Sequence, residues 1–143
     1  MALFQLHSVS TQTLKRILII EDDEPLCWLL DRILKGKFEV IIHQNGLDAL
    51  AWLSSNALPD LIISDLHMPS LDGLELLENI QTSGILRNIP VIILSGSEDP
   101  EKRKKCLALG ASSYLIKPFE PQLLIEEIEN TFKRVEKPLA INR

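Results

Sequence analysis

The sequence predicts a doubly wound α/β domain: one five-stranded parallel sheet with helices on both faces. Three observations carry that prediction. Five short apolar runs recur along the chain, Arg16–Ile20, Phe38–His43, Leu61–Ile63, Val91–Leu94 and Ser113–Ile116. Each is followed by a segment of helical period that Pro or Gly opens or closes. The runs also lack the apolar/polar alternation of a half-exposed strand, as expected where both sheet faces are covered.

Taken in order, residues 1–13 carry Ser8, Ser10, Thr11 and Thr13 with no sustained period, and read as a flexible arm. The first strand, Arg16–Ile20, runs directly into Glu21-Asp22-Asp23-Glu24. Pro25 suits a first helical turn, where its missing N–H is not needed. Leu26, Leu29, Leu30, Ile33 and Leu34 then form one helical stripe, which Gly36 closes. The second strand is followed by a helix over Gly46–Ser55, with Leu50 and Leu53 expected to face inward, and a turn over Asn56–Pro59. The third strand delivers Asp65 as Met68-Pro69 turns the chain. Gly73–Ser83 is the third helix, with Leu74, Leu77 and Ile80 inward. The fourth strand ends in Ser95-Gly96-Ser97, and Pro100 opens a Lys/Arg-rich helix that stops at Gly110. The fifth strand ends at Lys117-Pro118-Phe119. Pro121 to about Arg134 forms the last helix, so the domain occupies residues 14–134 and a tail residues 135–143.

Composition bounds the function without naming it. A chain of 143 residues with 45% hydrophobic and 24% charged residues suits one soluble domain. No apolar run reaches the length of a membrane span, and residues 1–13 lack a secretory pattern. Cys27 and Cys106 stand far apart with no metal-binding spacing, so reduced thiols in a cytoplasmic protein are expected. The net charge of −5 argues against a broad nucleic-acid surface.

In a parallel sheet the carboxyl ends of the strands share one edge. Glu21 and Asp22 arrive there from the first strand, Asp65 from the third, Ser95 from the fourth and Lys117 from the fifth. Singly, each has a plain explanation: an acidic helix start, a turn Asp, a turn Ser, a solvated Lys. Together they make coherent chemistry. Three crowded carboxylates repel one another, and a hard divalent cation with oxygen ligands, Mg2+, relieves that repulsion. Asp65, already ionised, can act as nucleophile toward a phosphoryl group without a general base. Lys117 and the Ser95 hydroxyl can hold phosphate oxygens.

These residues stand in a pattern that closely resembles the receiver domains of two-component response regulators, the flavodoxin-like CheY family. The matching pieces are Ile19-Ile20-Glu21-Asp22-Asp23-Glu24, Asp65-Leu66-His67-Met68-Pro69 with Asp72-Gly73, Ile93-Leu94-Ser95-Gly96, Leu109 to Tyr114, and Lys117-Pro118-Phe119. The intervals are 43 residues from Asp22 to Asp65, 30 on to Ser95 and 22 on to Lys117. The resemblance implies that Asp65 is the phosphoacceptor. It implies that Glu21, Asp22, Asp65 and the backbone carbonyl of His67 hold Mg2+, with Glu21 acting through water. Ser95 and Tyr114 would be the switch hydroxyl and the rotating aromatic, Lys117 the site lysine, and Pro118 the residue whose preceding bond is often cis. The donor would be a histidine kinase or a phosphotransfer protein, and the domain a signalling phosphoacceptor rather than an enzyme on external substrates.

Three signals keep two readings each. His67 and Ser97, two residues past Asp65 and Ser95, are rim groups or, as the resemblance implies, influences on phosphoryl lifetime. Lys102, Arg103, Lys104 and Lys105 form a solvated face, the simpler reading. Alternatively they pair with Glu126, Glu127 and Glu129 across a homodimer built on the fourth-helix to fifth-helix face. Trp28 points away from the stripe of the first helix, and either meets the phosphodonor or is covered by Phe4 or Leu6 of the arm. Two rival functions are a small aspartyl-phosphate hydrolase and a phosphorylation-independent binding module. The first conflicts with Asp22-Asp23-Glu24, where such hydrolases need Asp-x-Asp, and with the lack of a cap-sized insertion. The intact acid pair with Asp65, Ser95 and Lys117 argues against the second.

Overall fold

The computed structural model describes residues 13–55 and 58–136. Strands β1 (Arg16–Ile20), β2 (Glu39–His43), β3 (Leu61–Asp65), β4 (Val91–Ser95) and β5 (Ser113–Ile116) alternate with five helices. These are α1 (Glu24–Leu34), α2 (Gly46–Ser55), α3 (Gly73–Gln81), α4 (Pro100–Ala108) and α5 (Pro121–Glu136). Every strand pair is parallel, in the order β2-β1-β3-β4-β5. The expected fold class is the observed one.

That order decides which helix covers which face. A right-handed crossover from β1 outward to β2 puts α1 on one face. The chain then reverses direction across the sheet, so the crossovers through α2, α3 and α4 must lie on the other. Side-chain parity agrees. Ile17, Ile19, Ile63 and Leu94 pack with Leu30 and Leu34 of α1 and Leu124 and Ile128 of α5. Leu18, Ile20, Ile62 and Ile93 pack with Ala49, Leu53, Leu76, Ile80 and Cys106 of α2, α3 and α4. The reversal between β1 and β3 opens a crevice at their carboxyl ends, the general ligand position of such sheets.

The details move in physically sensible ways. Asp23 caps α1, its carboxylate accepting from the Leu26 N–H at 3.0 Å, with Pro25 in the first turn. The buried stripe of α1 is Cys27, Leu30 and Leu34, while Leu29 is exposed and Leu26 and Ile33 lie at the margin. The helix is thus rotated so that the small Cys27 side chain meets the sheet. On α2 and α3, Leu50 and Leu74 are likewise half-buried, and Ala49 and Leu76 take the inner positions. Phe38 is buried but precedes β2, because Glu39 is the partner of Arg16, the first residue of β1. β3 and β4 run through Asp65 and Ser95, and α5 continues two residues past Arg134. The arm up to residue 12, residues 56–57 of the turn and the tail from residue 137 lie outside the described residues. Among the described residues no helix is long and apolar enough to cross a membrane.

Candidate functional site

The carboxyl edge of the sheet gathers the predicted residues. Glu21 follows β1 directly; its N–H donates to the His43 carbonyl at 3.1 Å, and its side chain is fully buried. Asp22 beside it is exposed. Asp65 closes β3 and is 6% exposed, and Ser95 closes β4 and is buried. Lys117 follows β5, its N–H donating to the Ser95 carbonyl at 2.8 Å. One carboxylate oxygen from each of Glu21, Asp22 and Asp65 lies within 4.8 Å of the others. The Lys117 ammonium donates to Asp65 Oδ1 at 3.0 Å and to Glu21 Oε1 at 3.1 Å.

One ammonium does not offset three carboxylates, and Glu21 and Lys117 both respond to the imbalance. Burial, then the Asp65 charge, pushes Glu21 above its usual 4.5, against the Asp23 N–H and Lys117, which pull it down. Burial alone would lower Lys117. The Asp65 hydrogen bond and the charges of Glu21 and Asp65 outweigh it and hold the ammonium above 10.5. The donor set is all oxygen and all anionic, the set that fits Mg2+ and not a softer metal. Glu21, Asp22 and Asp65 are the side chains that would hold it, with the His67 carbonyl on the loop after β3 in the role the resemblance implies.

The surroundings are equally specific. The Ser95 hydroxyl oxygen accepts from the Ser97 N–H at 3.0 Å, which leaves its proton for an incoming oxygen. Tyr114 lies inward, 5% exposed, its hydroxyl donating to the Ser97 carbonyl at 2.9 Å. Ser95 and Tyr114 therefore meet at the same residue, Ser97, which joins the site to α4. The Lys117–Pro118 peptide is cis. His67 is an exposed rim group, and its Nε2 lies 3.3 Å from Lys102 Nζ of α4. Among the described residues, none of Lys102, Arg103, Lys104 and Lys105 forms an ion pair, while Glu127 pairs with Arg134 at 3.7 Å.

Two supports escaped sequence reasoning. The Cys27 thiol donates to the Glu21 carbonyl at 3.1 Å. Burial, then the nearby Glu21, Asp23, Asp22 and Glu24 charges, raises that thiol to about 11, so it stays protonated and serves as a donor. Gly73 opens α3 directly beneath the phosphoacceptor candidate: a Cβ there would stand 2.8 Å from the Asp65 carbonyl oxygen and 2.9 Å from Leu66 Cα. The Asp72-Gly73 pair was visible as a motif, but its purpose, close approach of a helix start to the Asp65 strand end, was not.

Residues 17–129 match the family model described as response regulator receiver domain. The phosphate regulon transcriptional regulatory protein PhoB of Escherichia coli is 28% identical over 127 residues, covering 89% of this chain and 55% of that protein. This chain thus spans about half the length of such curated relatives. The chemotaxis response regulator CheY4 of Vibrio cholerae superimposes with a TM-score of 0.78 at 28% identity, covering 83% of this chain and 99% of that one. The receiver domain of a sensor histidine kinase from Pseudomonas aeruginosa, with a magnesium ion coordinated in its active-site cleft, gives a TM-score of 0.73 at 26% identity. It covers 81% of this chain and 95% of its own.

Proposed function

This chain belongs to the response regulator receiver domain family, and from that premise we propose that it is a Mg2+-dependent phosphoacceptor switch carrying its phosphoryl group on Asp65. The observation that carries the reading is the contact of Lys117 with both Asp65 and Glu21 inside a three-carboxylate cluster. A carboxylate nucleophile, a point cation and a hard-metal donor set are the parts phosphoryl transfer requires. An Asp65 oxygen attacks phosphorus of a phosphohistidine, the phosphorus–nitrogen bond breaks, and the imidazole leaves. Lys117 holds one phosphoryl oxygen and the Ser95 hydroxyl donates to another. Bound Mg2+ supplies neutralisation of the negative charge that builds on the transferring group.

The donor is a sensor histidine kinase or a histidine phosphotransfer protein, and the setting is cytoplasmic. The domain promotes its own phosphorylation and dephosphorylation and is no enzyme for external substrates. The Tyr114–Ser97 contact supports a read-out through α4, because a hydroxyl drawn from Ser97 toward phosphate frees the loop that Tyr114 holds. Incubation with a small phosphodonor and Mg2+ should add one hydroxylamine-labile acyl phosphate. Labelling that survives in Asp65→Asn would overturn the assignment.

A further inference from the structure

Lys102 is the cation whose position the scheme above does not explain. Of the four consecutive basic residues Lys102–Lys105 it alone is half-buried; the other three are exposed. It occupies the first turn of α4, where the helix dipole disfavours a positive charge. Among the described residues no carboxylate pairs with it; its ammonium points instead at Nε2 of His67, 3.3 Å away. An ammonium has donors and no acceptor, so a hydrogen bond here requires Nε2 to accept, with the ring proton on Nδ1. The partner is a ring nitrogen and not a carboxylate, reached from the helix that follows β4. His67 lies two residues beyond Asp65, so this unpaired charge is held at the mouth of the crevice.

We propose that Lys102 is a second phosphoryl-binding cation, parked on His67 until Asp65 carries its phosphoryl group and then transferred to an outer oxygen of that group. The proposal rests on the phosphoacceptor reading and deepens it. The exchange trades a bond to an imidazole nitrogen for an ion pair with an anionic phosphoryl oxygen, which adds charge–charge attraction to the hydrogen bond. Lys117 lies inside the cluster and is already engaged by two carboxylates. Lys102 starts from α4 and the His67 loop, whereas Lys117 follows β5, so the two cations would reach different oxygens. The same movement would draw the first turn of α4 toward the site and couple charge on Asp65 to the α4 face.

Beryllium fluoride with Mg2+, a stable mimic of a phosphoryl group on a carboxylate, tests this by calorimetric titration. Lys102→Met should weaken binding about fivefold, with a smaller dependence on salt, and Lys102→Arg should restore most of both. His67→Ala removes the parking site and should tighten binding. If Lys102 merely oriented His67, His67→Ala would weaken binding as much as Lys102→Met; that result, or an unchanged affinity in Lys102→Met, overturns the proposal. Failure of the parent chain to bind beryllium fluoride would instead refute the phosphoacceptor reading. The imidazole nitrogen shifts of the unliganded protein give an arm independent of it. Lys102→Met should release the fixed Nδ1–H tautomer of His67, and an unchanged tautomer would remove the contact from which the argument starts.

Discussion

The Lys117 ammonium lies 3.0 Å from Asp65 Oδ1, and the carboxylate it grips is almost completely withdrawn from water. The same nitrogen reaches the fully buried Glu21 at 3.1 Å. Without metal, this one side chain is the counter-charge to both buried acids.

The first prediction concerns that dependence. Lys117→Met should destabilise the metal-free protein by about 3 kcal/mol, the low end for breaking a buried pair, because Glu21 can partly escape by protonation. Mg2+ replaces the missing positive charge, so it should raise the melting temperature of the variant more than that of the parent. Thermal scans with and without Mg2+ check this; equal increments would mean that metal and lysine do not share the carboxylates.

The second prediction concerns Asp22, the exposed member of the cluster. Asp22→Ala removes repulsion from the metal-free state and a ligand from the metal-bound state. It should leave the metal-free protein as stable as the parent or more so, while weakening Mg2+ binding by tenfold or more, on the order of the loss for a missing charged ligand. Calorimetric Mg2+ titration gives the result. Unchanged affinity would exclude Asp22 as a ligand.

The third prediction is a pH dependence of unusual sign. The folded-state titration of Glu21 lies above its usual 4.5, chiefly through burial and then the Asp65 charge. The native state therefore binds that proton more tightly than the unfolded chain does. The stabilisation this gives is fully present below pH 4.5 and is withdrawn as pH rises through the higher folded value. Most paired carboxylates act the other way. Denaturant unfolding of the metal-free protein between pH 4.5 and 7 should show Glu21→Gln gaining on the parent as pH rises. A gap independent of pH would assign the burial no electrostatic cost.

The fold was legible because each level of the sequence agreed with the next: apolar runs of strand length, Pro and Gly at helix ends, and a helix after every strand. The site was legible for a geometric reason, since a parallel sheet must bring the ends of β1, β3, β4 and β5 to one edge. What stayed hidden depended on rotation and on distance along the chain. The stripe of α1 could be phased on Leu29 or on Cys27, and only the closeness of the sheet favours the smaller Cys27. The contact of His67 with Lys102 spans 35 positions. In a run of four basic residues, nothing in the sequence distinguishes the one that turns inward.

The last prediction is that Trp28 docks the phosphodonor. Trp28 is 62% exposed on α1, and Leu29 beside it is also exposed. The Arg32 guanidinium lies over the indole ring, 5.0 Å from its centre, within cation–π reach. Next to this pair runs a groove of about 360 Å³ lined by Asp23, Leu26, Leu29, Lys117, Pro118 and Phe119. It reaches the site through Lys117, so a partner seated in it would bring its phosphohistidine toward Asp65. Exposed Trp flanked by Arg is the composition of an interface hot spot, where truncation costs about 2 kcal/mol or more. The competing account, cover by Phe4 or Leu6 of the arm, falls on residues outside those described. Trp28→Ala separates the two when assayed with two donors. Transfer from the cognate kinase should fall by about tenfold or more, while labelling by a small phosphodonor stays unchanged, because Trp28 touches none of the reacting groups. Removal of residues 1–12 should leave kinase transfer intact or raise it. An equal effect of Trp28→Ala on both donors, or on neither, would take the docking role away from Trp28.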